Sequence, residues 1–232
     1  LTCGVGSVLF EIIGRQYYLR PPAACAAGEV LPLLVLIHCY GCSASHELNK
    51  FSEAADAYGF AIAAPQGEDH SWNAPHCCGP AHTRGLDDVG FIDEVVSHAS
   101  TQLLLARAAL FAHGFSNGGF MVSHLPHASR TRWTAISPAA GHEYSVKPHP
   151  SLPVYIHHCS EDSMVKMEGC CSDGFGPIQP TSTRPIPSDQ IPPHPIIIYH
   201  PVPPSPAMPH LIPYRPTPSH TIPHHPTPSH TI

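Results

Sequence analysis

The sequence is poor in charged residues and contains no long apolar run. Charged residues make up 12% of the 232 residues, about half of the ~25% found in a typical domain. The 11 Lys and Arg are outnumbered by 17 Asp and Glu, which gives a formal net charge of −6. A protein that binds the nucleic-acid backbone would show a basic stripe, so we expect no nucleic-acid partner. No apolar run approaches the ~18 residues of a membrane-spanning helix, so we expect no membrane partner.

The chain also lacks an initiating Met and the charged start and apolar core of a signal peptide. Both a fragment and a mature form fit this beginning. Nine cysteines are more than a cytosolic enzyme usually carries. They predict disulfides formed in an oxidising compartment, and the odd number leaves at least one thiol over.

Proline and histidine are concentrated at one end of the chain. Residues 177–232 hold 18 of the 29 Pro and 7 of the 20 His, whereas all nine Cys lie within residues 1–176. The sequence PTPSHTI occurs at 216–222 and again at 226–232. Because proline lacks a backbone donor and fixes φ, we predict a folded domain over 1–176 and a low-complexity, polyproline-like or disordered tail over 177–232.

Short apolar runs alternate with helical periodicity through the first part. We predict strands at 15–20, 33–38, 60–64, 108–113, 133–137 and 154–158, and helices at 46–58, at 87–105 and from Phe120 until Pro126 ends or bends it. The Gly-rich and polar stretch 67–85 is predicted as a loop. Strands that alternate with helices indicate an α/β fold with a mostly parallel sheet and helices on both faces.

The motif that carries chemistry is G-x-S-x-G at 114–118. By composition alone a chain of this length would match it by accident about one time in ten. The motif directly follows the apolar run 108–113 and precedes a helix, which is the context of a nucleophile elbow. We therefore predict Ser116 as nucleophile and the amide of Asn117 as an oxyanion donor. The alternative is a Gly-rich turn with an idle serine.

A serine nucleophile needs a second oxyanion donor, a base and an acid. The backbone amide of Tyr40, in the loop after strand 33–38, is our candidate donor, although this loop also fits an ordinary glycine turn. Asp162, just beyond strand 154–158, is our candidate acid in preference to Glu161; a solvated acidic loop is the alternative. The histidines after Asp162 all lie in the tail, where nothing in the sequence holds them, so the base stays unassigned.

Three segments resemble one known family. Residues 72–81 (WNAPHCCGPA), 87–92 (DDVGFI) and 114–119 (GFSNGG) are similar to the polyhydroxybutyrate depolymerase/feruloyl esterase-like (LpqC-type) family, with similarity from about residue 15 to 169. The resemblance implies a secreted α/β-hydrolase that cleaves polyhydroxyalkanoate or feruloyl-type esters. Ser116 then matches the family nucleophile and Asp162 its acid. Cys77 and Cys78 match a pair in the family, and we expect a disulfide from one of them to another loop.

The chain departs from that family in its last part. The family's final strand and its Gly-His-x-Trp-Pro turn, which carries the base, have no match here, so we expect the fold to lack its C-terminal segment. The first hypothesis is a serine carboxylesterase that acts on small or polymeric esters outside the cell, without cofactor or metal. The second hypothesis is a catalytically impaired hydrolase-like protein or truncated gene product.

Overall fold

The computed structural model describes residues 1–75, 77–141, 152–159, 162–166, 170–171 and 198–199. The predicted domain boundary at 176/177 lies outside these residues. The strands are β1 (Val8–Ile12), β2 (Arg15–Arg20), β3 (Leu31–Ile37), β4 (Ala61–Pro65), β5 (Leu105–Phe115), β6 (Ala135–Ala139), β7 (Tyr155–Ile156), β8 (Val165–Lys166), β9 (Cys170–Cys171) and β10 (Ile198–Tyr199). The α-helices are α1 (Ala44–Tyr58), α2 (Gly79–Arg84), α3 (Asp88–Gln102) and α4 (Asn117–Ala128), and a 3-10 turn covers Glu68–His70.

The main sheet has the strand order β1-β2-β4-β3-β5-β6. Strands β4, β3, β5 and β6 are parallel, whereas β1 and β2 form an antiparallel hairpin at one edge. At the other edge, two parallel bridges join β6 to Val154 and His157 around β7. The backbone of β10, which lies within the predicted tail, pairs antiparallel with β7.

The side chains of β3 alternate between the two faces of the sheet, as a pleated strand requires. Leu33, Val35 and Ile37 pack in the larger core cluster with residues of α3 and α4. Leu34 and Leu36 point to the other face and pack in a second cluster with residues of α1. The predicted parallel sheet with helices on both faces is therefore confirmed.

Several elements differ from the sequence prediction. Helix α4 begins at Asn117 rather than Phe120 and includes Pro126 in its last turn. Helix α2 lies within the stretch predicted as a loop, and the edge strand β1 was not predicted.

The parallel strands bring four loops to one edge of the sheet. Ile37 pairs with Gly114, Phe115 with Ala139, and Ala139 with His157. The segments that follow β3, β5, β6 and β7 therefore leave the sheet side by side, where α/β folds place their ligand sites. None of the helices in the described part of the chain is long and apolar enough to cross a membrane.

Candidate active site

Ser116 is the single residue between the end of β5 and the start of α4. Its backbone angles are φ 54° and ψ −119°, a region that a non-glycine residue occupies only when its surroundings impose it. The Ser116 amide donates to Ala139 O at 2.8 Å, and the Ser116 carbonyl accepts from Phe120 N at 3.0 Å. The predicted sharp turn is therefore present, and Ser116 is partly exposed.

The motif glycines allow this turn to lie against neighbouring backbone. A Cβ at Gly118 would collide with the carbonyl groups of Ile37 and His38, at the end of β3. A Cβ at Gly114 would collide with the Gly118 carbonyl. The start of α4 therefore touches the point where the loop after β3, which contains Tyr40, begins.

The side chain of Asn117, the residue after Ser116, is held by three hydrogen bonds to the backbone of Trp72 and Cys77. It is fully buried, its Oδ1 accepts from Trp72 N at 2.7 Å, and its Nδ2 donates to Trp72 O at 3.1 Å and to Cys77 O at 3.0 Å. The amides in the first turn of a helix have no intrahelical acceptor. The side chain of Asn117 is thus structural, and its backbone N–H remains the candidate oxyanion donor.

His38 holds the start of the loop after β3. Its Nε2 accepts from Gly67 N at 2.9 Å, so the proton is on Nδ1, which donates to Cys39 O at 2.7 Å. Burial lowers the pKa of His38 to about 4, against a smaller raising effect of the hydrogen bond to Cys39. The imidazole is therefore neutral at physiological pH and acts as a bridge between two backbone segments.

A disulfide between Cys39 and Cys42 closes the loop that carries Tyr40. Tyr40 is 45% exposed, and its ring packs where a side chain on Gly79 would lie. This bridge was not predicted, although the C-x-x-C spacing of 39–42 was a signal that could have revealed it. The role of the Tyr40 amide as second oxyanion donor stays a prediction.

Asp162 lies in the turn after β7, two strands away from β5. Its Oδ1 accepts from Met164 N and Val165 N, both at 2.9 Å. Oδ2 is 3.8 Å from Nε2 of His158, which itself donates to Val165 O at 2.6 Å. The Asp162 side chain is 16% exposed, and Oδ2 has no hydrogen-bond donor within the described residues. One oxygen is thus fixed by the backbone and the other is available to a partner.

No histidine in the described part of the chain hydrogen-bonds to the Ser116 hydroxyl. His113, on β5, contacts Ser137 Oγ at 3.2 Å and packs on Phe51 of α1. Its side chain therefore lies on the face of the sheet that α1 covers. His157 packs on the ring of Tyr155. The tail histidines considered as bases lie outside the described residues.

The expectation that Cys77 or Cys78 pairs with another loop is wrong. The two residues are bonded to each other across a cis peptide bond, and they are 5% and 8% exposed. The carbonyl of Cys77 accepts from the Asn117 side chain, so the pair lies next to the start of α4. A further disulfide joins Cys3 to Cys25, and Cys159 is free and exposed.

One cluster of potential metal ligands occurs among the described residues. The Sγ atoms of Cys39 and Cys42 and a carboxylate oxygen of Glu47 lie within 4.8 Å of one another. The disulfide engages both sulfur atoms, and Glu47 is paired with Lys50 at 2.9 Å. The oxidised loop therefore offers no metal site.

Hydrogen bonds connect the three motif segments of the family resemblance to one another next to Ser116. Trp72 is bound to Asn117 and donates through Nε1 to His38 O at 2.8 Å. Asn73 N donates to Asp88 Oδ2 at 2.6 Å, which connects the 72–81 and 87–92 segments. These motifs thus form the support of the elbow.

Comparison with known proteins identifies proteins that are similar to this chain in sequence or in fold. No family model matches the chain. Feruloyl esterase C of Emericella nidulans is 31% identical to it over 148 residues, which are 61% of this chain and 50% of that protein. The chain thus spans about half the length of the curated relative that it matches. This similarity confirms the predicted resemblance to a feruloyl esterase-like family.

Solved structures confirm the fold. A thermostable esterase superimposes with a TM-score of 0.57 at 16% identity, covering 70% of this chain and 48% of that one. Native sOPH superimposes with a TM-score of 0.52 at 17% identity, covering 77% of this chain and 73% of that one. The chain has the predicted α/β-hydrolase fold.

Proposed function

We propose, from this relationship to feruloyl esterase-like proteins, that the chain is a serine-dependent carboxylic ester hydrolase with Ser116 as its nucleophile. The observation that carries the proposal is the backbone of Ser116, at φ 54° and ψ −119° between β5 and α4. An idle serine in an ordinary turn has no reason to occupy this unfavourable region. Ser116 is partly exposed at the carboxyl end of β5, the edge from which the loops after β3, β6 and β7 also leave the sheet.

The proposed reaction passes through an acyl-serine. Ser116 Oγ attacks the ester carbonyl carbon and gives its proton to a base. The amides of Asn117 and Tyr40 donate to the oxyanion, and the N-terminus of α4 adds partial positive charge. The intermediate collapses, and the alcohol leaves with the proton from the base. Water then attacks the acyl-serine by the same route and releases the acid.

Asp162 would orient the base through its available oxygen, Oδ2. The backbone amides of Met164 and Val165 donate to Oδ1, so the orientation of the carboxylate does not depend on the imidazole that it would hold. The base itself is a histidine that the described residues do not supply. The seven tail histidines, His194, His200, His210, His220, His224, His225 and His230, are the candidates by chain order.

The substrate is proposed to be a small or polymeric ester of the polyhydroxyalkanoate or feruloyl type. The support is the family resemblance, together with the name of the feruloyl esterase relative. Three disulfides among the described residues support an oxidising, extracellular location.

A second candidate function is a hydrolase-like protein without turnover. It is favoured by the departure from the family in the last part of the sequence, where the Gly-His-x-Trp-Pro turn that carries the base has no match. Such a protein would still present an accessible serine and would react with a phosphonate probe only as fast as an unactivated hydroxyl permits.

The test is hydrolysis of p-nitrophenyl acetate, combined with labelling by a fluorophosphonate probe. We expect turnover by the wild type and a loss of at least about 1,000-fold in kcat/KM for Ser116→Ala, because the nucleophile is removed. Ser100→Ala, on the exposed side of α3, is the matched control and should behave as wild type. Equal rates for wild type and Ser116→Ala would overturn the assignment, and slow labelling at Ser116 without turnover would favour the second candidate.

A further inference from the structure

The disulfide between Cys39 and Cys42 lies in the loop that the proposed mechanism uses for its second oxyanion donor. The two cysteines are separated by only three positions, and Tyr40 is the residue directly after Cys39. Both cysteines are partly exposed, in contrast to the buried Cys77–Cys78 pair. A small thiol reagent in solution therefore meets the Cys39–Cys42 bridge more readily than the pair under Asn117.

Hydrogen bonds hold the peptide units on both sides of Tyr40, but they do not use the N–H or C=O of Tyr40 itself. Cys42 N donates to Cys39 O at 3.1 Å, and Gly41 N donates to His70 O at 2.8 Å. His70 Nδ1 donates to Cys42 O at 2.7 Å, but His70 is exposed and lies in a 3-10 turn. Among the described residues, neither the N–H nor the C=O of Tyr40 makes a hydrogen bond, but the Cys39 carbonyl in the same peptide unit as the Tyr40 N–H accepts from Cys42 N and from His38 Nδ1. The disulfide is the covalent restraint that keeps Cys39 and Cys42, the residues on either side of Tyr40 and Gly41, at a constant separation.

We propose that the Cys39–Cys42 bridge is a reducible modification site that holds the loop carrying the Tyr40 amide in position, and that its reduction by a dithiol lowers ester turnover. This inference rests on the proposed function. A dithiol such as dithiothreitol attacks one sulfur as a thiolate, forms a mixed disulfide with that cysteine and releases the other cysteine as a thiolate. Its second thiolate then displaces the cysteine held in the mixed disulfide, so the protein bridge gains two electrons and the reagent is oxidised to its own cyclic disulfide. Re-oxidation restores the bridge and the rate.

The expected effect is on kcat rather than KM. Loss of a single oxyanion donor costs about 100- to 1,000-fold in kcat, and a displacement of about 1 Å costs up to about 100-fold. A loosened loop keeps the donor but not its position, so we expect a decrease of about 10- to 100-fold in kcat. The KM should change little, because the oxyanion exists only during the reaction.

The experiment uses the full-length oxidised protein, assayed with p-nitrophenyl acetate before and after dithiothreitol and again after removal of the reagent. The variant Cys39→Ser/Cys42→Ser should show the lowered kcat without treatment and no further response to dithiothreitol. The matched control is Cys3→Ser/Cys25→Ser, which removes a disulfide remote from Ser116. It should keep both the wild-type rate and the wild-type response.

Alkylation with iodoacetamide and peptide mapping of the treated wild type provides a measurement that does not depend on the variants folding. Activity should fall in parallel with the appearance of labelled Cys39 and Cys42. An unchanged kcat after both cysteines are labelled would overturn the inference and leave the esterase proposal intact. A response that persists in Cys39→Ser/Cys42→Ser would also overturn it, by assigning the effect to another disulfide. If the oxidised wild type shows no Ser116-dependent hydrolysis, the proposed function itself is wrong.

Discussion

His38 shows how one buried side chain can organise the candidate site without touching substrate. The ring is fully buried, accepts from the Gly67 amide, and donates to the carbonyl of Cys39. Gln66 Nε2 is a further contact of the same ring nitrogen at 3.2 Å. Protonation of Nε2 would replace an acceptor with a donor and oppose the Gly67 N–H, which is why the neutral form is required.

This requirement predicts a pH-dependent stability. The pKa of His38 is about 4 in the folded state against 6.5 for an ordinary histidine. As the pH falls through this window, the unfolded chain binds a proton that the folded chain does not. The free energy of unfolding should therefore decrease on acidification, with about 2 kcal/mol lost between pH 7.5 and 5 through His38 alone. Urea titrations at several pH values measure this slope.

The variant His38→Gln supplies the comparison for this prediction. Glutamine does not titrate, so its stability should be lower at neutral pH but should depend less on pH over the same window. Replacement of the exposed His46 by Gln is the control and should keep the wild-type slope. Equal slopes for all three proteins would contradict the role given to His38. The groups that influence its charge are Glu47, His70 and Arg15.

The residue scale was also the hardest to predict from sequence. The strand-turn-helix context of Ser116 could be predicted because the G-x-S-x-G pattern and the preceding apolar run are local signals. The three hydrogen bonds of the Asn117 side chain could not, because their partners are 40 and 45 positions away in the chain. The same holds for Cys77 and Cys78, whose pairing depends on backbone geometry rather than on spacing.

At the scale of elements, a buried ion pair joins the edge hairpin to α3. Arg15 Nη1, at the start of β2, is 2.7 Å from Asp88 Oδ1, and the Asp88 side chain is fully buried. The Arg15 guanidinium lies 3.8 Å from the ring centre of Phe91. Burial raises the pKa of Asp88, against the lowering effects of the Asn73 amide and Arg15. The carboxylate therefore depends on Arg15 for its charge compensation.

Removal of Arg15 alone should strongly lower the free energy of unfolding. The variant Arg15→Met leaves an uncompensated buried carboxylate, and we expect the free energy of unfolding to fall by about 3–5 kcal/mol at neutral pH. The double variant Arg15→Met/Asp88→Asn removes the charge as well and should recover part of this loss. Chemical denaturation monitored by circular dichroism measures both.

A matched control lies on the same strand. Arg20, the last residue of β2, pairs with Asp56 at 2.6 Å, but Asp56 is 34% exposed. Arg20→Met should therefore have a much smaller effect than Arg15→Met, because water can solvate the carboxylate that is left. Similar losses for the two variants would show that burial is not what makes the Arg15–Asp88 pair important.

Some elements could be predicted well from local sequence, and others could not. Helix α1 was predicted to within two residues because its apolar periodicity ends at Gly59, which adopts the left-handed conformation at φ 70°. Helix α2 has only six residues and is too short for a periodic signal. Its placement depends on tertiary contacts, such as the hydrogen bond of 2.9 Å from Ala81 N to Ser71 Oγ.

At the scale of the whole molecule, the alternation of strands and helices was sufficient to predict the fold class. The order of the strands was not, because the central pairs join distant residues such as Leu33 of β3 and Leu110 of β5. Such pairing is determined by how apolar faces are buried, not by any local pattern. The edge position of the β1–β2 hairpin was likewise beyond the reach of periodicity.

The predicted boundary between 1–176 and 177–232 can be tested on the intact chain. The proline content of the second part predicts that it has no packed core, so proteinase K should remove it first. Intact mass should then show a stable product that ends near residue 176. The alternative is that the protected part of the chain extends to β10, because β10 pairs with β7. A stable product that ends beyond residue 199 would mean that this pairing protects the segment and that the boundary is wrong.

Cys159 has a practical consequence for the study of this chain. Cys159 is free and exposed, and it lies three positions before Asp162. A maleimide dye attached there, with its location verified by peptide mapping, would place an environment-sensitive fluorophore on the turn that carries the candidate acid. Its emission would report the arrival of a ligand directly, even for compounds that the chain binds without cleaving.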